Sequence, residues 1–152
     1  MTNLPYSRAT SGDKALTEMQ KILRHFGCKK FGSMIDDENG ELIVQFEWKG
    51  RQVSIKASYR GYAAAWLKHN PWNFRRKGTE LEHKRKAMEI GSVAIYSVLR
   101  DWVKGQVTAI ETGILTFEGA FLGQILLGNG STVLEHVQAQ DMLPALEQKG
   151  AA

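Results

Sequence analysis

From Leu81 to about Thr112 the chain repeats apolar residues at helical spacing: Met88, Ile95, Val98, Leu99, Trp102, Val103, Val107 and Ile110. Such a period puts these side chains on one stripe of a helix. Thr79-Glu80-Leu81-Glu82 has the form of a capping box, in which threonine and glutamate satisfy each other's free amides, and Gly113 supplies the stop. This is the longest and most hydrophobic predicted element, so the remaining structure is expected to pack around it as a spine. Gly91 and Gly105 each cost such a helix roughly 1 kcal/mol relative to alanine. Each points to a close backbone approach or a kink, and pairing with another copy of the chain is a further use for them.

Upstream, SGDKALTEMQKILRHFG reads as an amphipathic helix with Leu16, Met19, Ile22, Leu23 and Phe26 on one face, Ser11 or Asp13 as N-cap and Gly27 as terminator. Three strand-like runs follow, KKFGSMID, ELIVQFEW and RQVSIKAS. In the second and third, Leu42, Val44, Phe46 and Trp48, then Val53, Ile55 and Ala57, alternate with wetter positions. Asn39-Gly40 and Lys49-Gly50 tolerate positive φ at the two connections, which predicts an antiparallel meander. YRGYAAAWLKHN predicts a short helix stopping before Asn70-Pro71. Beyond the spine, a helical turn from Thr116 is expected. A hairpin then pairs Gln124 to Leu127 with Ser131 to Glu135 around Gly128-Asn129-Gly130, and a weak helix is broken by Pro144.

The fold class that emerges is α+β: an antiparallel sheet, made of a three-stranded meander plus a C-terminal hairpin, packed against a long central helix and shorter helices. With 152 residues and 43% hydrophobic composition the chain suits a single domain, 1–152, with a flexible N-terminal arm over about 1–11 and a tail over about 147–152. The start of the sequence lacks a secretory apolar core, no run approaches a membrane span, and Cys28 is the lone cysteine. A cytoplasmic protein without a membrane partner is the expectation.

Catalytic chemistry finds no motif. His25, His69, His83 and His136 are scattered without a second ligand at metal spacing, and read as surface or capping residues. Glu82 and His83 point about 100° apart on a helix. Cys28 reads as a small buried hydrophobe. GNGS lacks the lysine of a phosphate loop, and the Asp36-Asp37-Glu38-Asn39-Gly40 turn lacks a calcium loop's bidentate glutamate, with Phe46 in its place. No enzyme, no cofactor and no metal are expected.

Charge carries more information. Between Trp48 and Lys86 stand eleven Lys/Arg against two acids, Glu80 and Glu82, whereas from Gln106 onward Lys149 faces five acids. If Lys49, Arg51, Lys56, Arg60, Lys68, Arg75, Arg76 and Lys77 converge on one face, that face attracts a polyanion. Exposed Trp72, Phe74, Tyr59 or Tyr62 would stack on unpaired bases there. Against this stand the ordinary fates of such residues, a solvated surface for the charges and burial for the tryptophans.

Two stretches, RGYAAAWLKHNPW at 60–72 and LRDWVKGQVTAIETGILTFEGAFLGQILLGNGSTVLEH at 99–136, resemble small proteins of tailed bacteriophages and prophages with no established activity. The resemblance implies phage origin and action in the bacterial host cytoplasm. It carries over no catalytic residue. The functional expectation is a non-catalytic phage or prophage accessory protein binding DNA or RNA through its basic face. The alternative is a protein-binding inhibitor of a host defence or nuclease complex, with an aromatic such as Trp72 as anchor.

Overall fold

A computed structural model describes residues 4–145. Helix α1, Gly12–Phe26, is capped by Ser11, whose hydroxyl accepts from Lys14 N at 3.2 Å. It ends at Gly27, whose φ of 114° suits only glycine and turns Cys28 N back onto the Leu23 carbonyl. Strands β1 (Lys30–Asp36), β2 (Glu41–Trp48) and β3 (Arg51–Ser58) form the antiparallel meander in sequence order. Lys49 and Gly50, at φ 47° and 79°, make a two-residue turn that pairs Trp48 with Arg51. The first turn is held by the Asp36 carboxylate, which accepts from both the backbone and the side-chain amide of Asn39. Those bonds favour the ionised form and keep the Asp36 carboxyl below its usual range.

Helix α2 (Tyr59–His69) follows β3 directly, and helix α3 spans Glu80–Glu111 as 32 uninterrupted residues. Its capping box forms as the sequence predicts: Glu82 N donates to Thr79 Oγ1 at 3.2 Å, and Thr79 N to Glu82 Oε2 at 3.3 Å. The alternating side chains Leu42, Val44, Phe46, Val53 and Ile55 meet Ile95, Leu99, Val103 and Val107 of α3 and Met19 and Leu23 of α1. Burying each large apolar side chain stabilises the fold by about 1.5–3 kcal/mol. A smaller cluster of Ala63, Trp66 and Ala87 joins α2 to the first half of α3, with Leu4 packed against it.

Gly91 makes the close backbone approach. It is buried in the α2–α3 seam, where an added Cβ would lie 2.5 Å from the Tyr59 carbonyl oxygen. The N-terminal stretch expected to be an arm makes contacts from Leu4 onward. Tyr62 donates to the Pro5 carbonyl and Tyr6 to Asp101 at 2.7 Å. The tail expected over 147–152 lies outside the described residues.

The C-terminal hairpin is reduced to a turn: the chain reverses at Gly128-Asn129-Gly130, where Leu127 N donates to the Ser131 carbonyl at 2.8 Å, but no pair of strands forms among the described residues. After α4 (Phe117–Phe121) and a 3₁₀ turn (Leu122–Gln124), Ile125 bridges Val53 and Leu126 bridges Thr132, each as an isolated pair. Ser131 to Glu135 then starts helix α5 (Val133–Ala139) in place of a strand. The reason is local: Thr132 and Glu135 make a second capping box, the same threonine-to-glutamate spacing that opens α3. That signature outweighs the β-branched composition. No helix among the described residues is long and apolar enough to cross a membrane.

Candidate nucleic-acid interface

The basic residues divide according to the elements that carry them. At the β2–β3 turn, the Lys49 ammonium sits 4.6 Å from the centre of the Trp48 ring, which is itself stacked between Phe26 and Phe117. Arg51 pairs with Glu118 of α4 at 3.1 Å, and Lys56 pairs with Glu135 of α5 at 3.3 Å. Half-exposed pairs of this kind contribute only about 0–1 kcal/mol to stability. Their electrostatic consequence is larger, because the acidic C-terminal third cancels these two cations within the same chain. Lys56 and the Thr132 cap also hold the Glu135 carboxyl below its usual range, through hydrogen bonds led by those from Thr132. Arg60 lies at the start of α2, with its stem across Gly40 and its guanidinium donating to the Asp37 carbonyl at 3.2 Å.

The remaining candidates sit together at the other end of the spine. Lys68 is exposed in the last turn of α2, and Arg75, Arg76 and Lys77 are exposed in the loop from Asn70 to Thr79. The loop is held at both ends. The imidazole of His83 bonds the Asn70 carbonyl through Nε2 and packs 5.0 Å from the Trp66 ring, so this histidine is a buried pin and not a surface residue. Trp72 is half-buried, and its indole N–H reaches the Gly78 carbonyl at 3.4 Å. Between these anchors Asn73 makes the turn, its side chain accepting from Arg75 N and its carbonyl from Arg76 N, both at 3.0 Å.

That turn lifts Phe74 clear of the protein. Its side chain is 82% exposed, with the Arg75 guanidinium 5.8 Å from the ring centre. Of the four aromatic candidates for stacking, Phe74 is the one the fold presents. Tyr59 is buried and donates to Asp37 at 2.8 Å, Tyr62 is committed to Pro5, and Trp72 closes the loop.

The convergence expected from the sequence therefore does not occur. Gln106 of α3 bonds Ala120 of α4, so the Arg51–Glu118 end and the Asn70–Thr79 loop are separated by most of α3, about 40 Å at 1.5 Å per residue. Three further cations belong to the loop's end. Lys84, Arg85 and Lys86 are exposed on the first two turns of α3, close in sequence to the loop. With Lys68, Arg75, Arg76 and Lys77 they make seven cations at one pole. The acids there are Glu82, occupied in the cap, and Glu80, 3.7 Å from Lys84. The charge excess in the sequence already included all seven, but their grouping depends on how α2 folds back along α3.

No three His, Cys, Asp or Glu side chains among the described residues are grouped to hold a metal ion. Cys28 is buried, and burial pushes its thiol up to about 11. At pH 8 only about one thiol in a thousand is then ionised, so its reaction with a disulfide reagent should accelerate roughly a hundredfold on unfolding. Thiol titration with and without denaturant checks this, and equal rates would contradict the burial. Comparisons with protein-family models, curated proteins and solved structures find no match for the chain.

Proposed function

We propose that the protein is a non-catalytic accessory factor that binds nucleic acid, single strands above duplex, through the pole built from the end of α2, the Asn70–Thr79 loop and the start of α3. The observation that carries this reading is an exposed phenylalanine set among seven cations at one end of the molecule. Lysine and arginine bind phosphates by releasing counterions, whatever the base sequence. An aromatic ring adds stacking on any unpaired base, which a duplex keeps inside its own stack. Phage origin and a place in the bacterial cytoplasm belong to the same proposal, and rest on the resemblance of the 60–72 and 99–136 stretches.

The pole has two separable contributions. The cations set the salt dependence, and Phe74 sets the preference for single strands. Replacing Phe74 by alanine should weaken binding of a labelled single-stranded oligonucleotide by about 1–3 kcal/mol, and leave duplex binding nearly unchanged. Fluorescence anisotropy at low salt measures both. Equal losses on the two substrates would remove stacking from the account. No binding of either by the unaltered protein, together with capture of one bacterial protein that depends on Phe74, would support the inhibitor reading instead.

A further inference from the structure

The two edges of the sheet are treated differently. At the β3 edge, Leu126 N donates to the Gln52 carbonyl at 2.8 Å, Ile125 bridges Val53, and the Lys56–Glu135 pair ties α5 alongside. At the β1 edge no described residue bonds the outward backbone groups. Which groups those are follows from register. The two-residue turn makes Trp48 and Arg51 a hydrogen-bonded pair, so Leu42, Val44 and Phe46 also bond β3, and Glu41, Ile43, Gln45 and Glu47 bond β1. Their partners are Asp36, Met34, Gly32 and Lys30. The N–H and C=O groups of Phe31, Ser33 and Ile35 therefore point away from the sheet. The Gln52 carbonyl that receives Leu126 obeys the same alternation on the other side.

An open edge is a template for another strand, and proteins commonly blunt one with proline, a bulge or central charges. Here β1 has none of these, and Met34 and Ile35 are 59% and 56% exposed. Its sequence is also complementary to itself. Set antiparallel about Ser33, Lys30 faces Asp36, Phe31 faces Ile35, and Gly32 faces Met34. Opposite charges meet at both ends, where Asp36 of the second copy would join the Lys30–Glu47 pair at 3.1 Å, apolar side chains meet on the helix side, and the long Met34 side chain meets a glycine with open space where a Cβ would be. Ile35 also borders a groove of ≈ 400 Å³ lined by Leu42, Met88, Ile95 and Tyr96, and Phe31 of a second copy would stand at its mouth.

We infer that β1 is a homodimer interface: two copies pair their β1 edges about a two-fold axis at Ser33, joining two three-stranded sheets into one of six. Phe31, Ser33 and Ile35 supply the reciprocal backbone bonds, and Lys30 meets Asp36 twice. A two-fold contact is self-limiting, since each copy has one such edge and pairing consumes it. The inference is independent of nucleic-acid binding.

Sedimentation equilibrium of the full chain should give twice the 17.0 kDa monomer mass at high micromolar concentration. Ser33→Pro removes an outward N–H that β2 does not use, a position where an edge strand accepts proline. It should yield a folded monomer with an unchanged circular dichroism spectrum. Ser33 is exposed, and Ser33→Glu sets two carboxylates face to face at the two-fold axis and should weaken the dimer about tenfold. An equimolar mixture with Ser33→Lys should recover the loss as a heterodimer. A protein that stays monomeric throughout overturns the inference, as does a dimer that persists in Ser33→Pro or ignores Ser33→Glu.

Discussion

Replacing Phe121 by alanine lowers stability by about 3–5 kcal/mol, the range for emptying a buried phenylalanine site. The ring is fully buried where α4 plugs the space between sheet and spine. It packs edge-on to Phe46 at 5.4 Å and to Trp102 at 5.7 Å, and tilted to Phe117 at 5.4 Å. Alanine would leave a void lined by rigid rings that cannot collapse into it, and would lose the aromatic contacts as well. At about 2–4 °C per kcal/mol for a domain of this size, the melting temperature should fall by roughly 10 °C. Exposed Phe74 is the internal control, because its loss to alanine should change stability by under about 0.5 kcal/mol. Calorimetric melts of both variants measure the difference. A Phe121→Ala loss below that of Phe74→Ala would contradict the core described above.

The same glycine-to-alanine change should have opposite signs at two positions of α3. Gly105 has open space around the position of a Cβ, so alanine there only improves helix propensity, by about 1 kcal/mol. Gly91 has the same propensity to gain, but its Cβ would meet backbone: the Tyr59 oxygen at 2.5 Å and the Ala63 nitrogen at 3.2 Å. Backbone cannot rotate aside as a side chain can, so α2 must retreat from α3. Overpacking of this kind costs typically 1–3 kcal/mol and sometimes more, and the retreat would also strain the Trp66–His83 and Asn70–His83 contacts that anchor the basic loop. Gly105→Ala is expected to melt higher than the unaltered protein and Gly91→Ala lower, with nucleic-acid affinity falling in the second alone. Stabilisation by both changes would contradict the close α2–α3 seam.

Local signals account for what the sequence made legible. The spine followed from apolar period and a capping box, the meander from alternation and two glycine turns, and the loop at Asn70-Pro71 from the proline. Each depends on residues a few positions apart. The C-terminal hairpin failed because two local signals conflicted, and the Thr132–Glu135 cap outweighed β-branched composition. Trp102 is less covered than its place in the helical period suggests. It packs edge-on to Phe121 yet is 37% exposed, because it and Val98 sit one turn apart at the border of a broad apolar stripe. A period locates a stripe but does not say how wide a strip its neighbours cover.

The site was less legible than the fold, since it depends on long-range placement. Arg51 and Lys56 look like Arg75 and Lys77 in sequence. What distinguishes them is that α4 and α5 return to β3 with Glu118 and Glu135, residues far along the chain. Trp72 and Phe74 differ likewise, through one indole bond to Gly78 that turns the first inward and leaves the second free. His83 gave no signal of its own, because an isolated histidine near a capping box becomes a pin only when Asn70 is brought against it.

The slope of binding affinity against salt concentration tests the polar placement most directly, because it counts phosphate contacts. For a single strand, the variant with Arg75, Arg76 and Lys77 all changed to alanine should have a log–log slope flatter by about 2 units, at roughly 0.7 per lost contact. The variant with Arg51 and Lys56 changed to alanine should keep the full slope, since Glu118 and Glu135 already hold those cations. An unchanged slope in the first variant, or a flattened one in the second, would contradict the assignment of the interface to the loop pole.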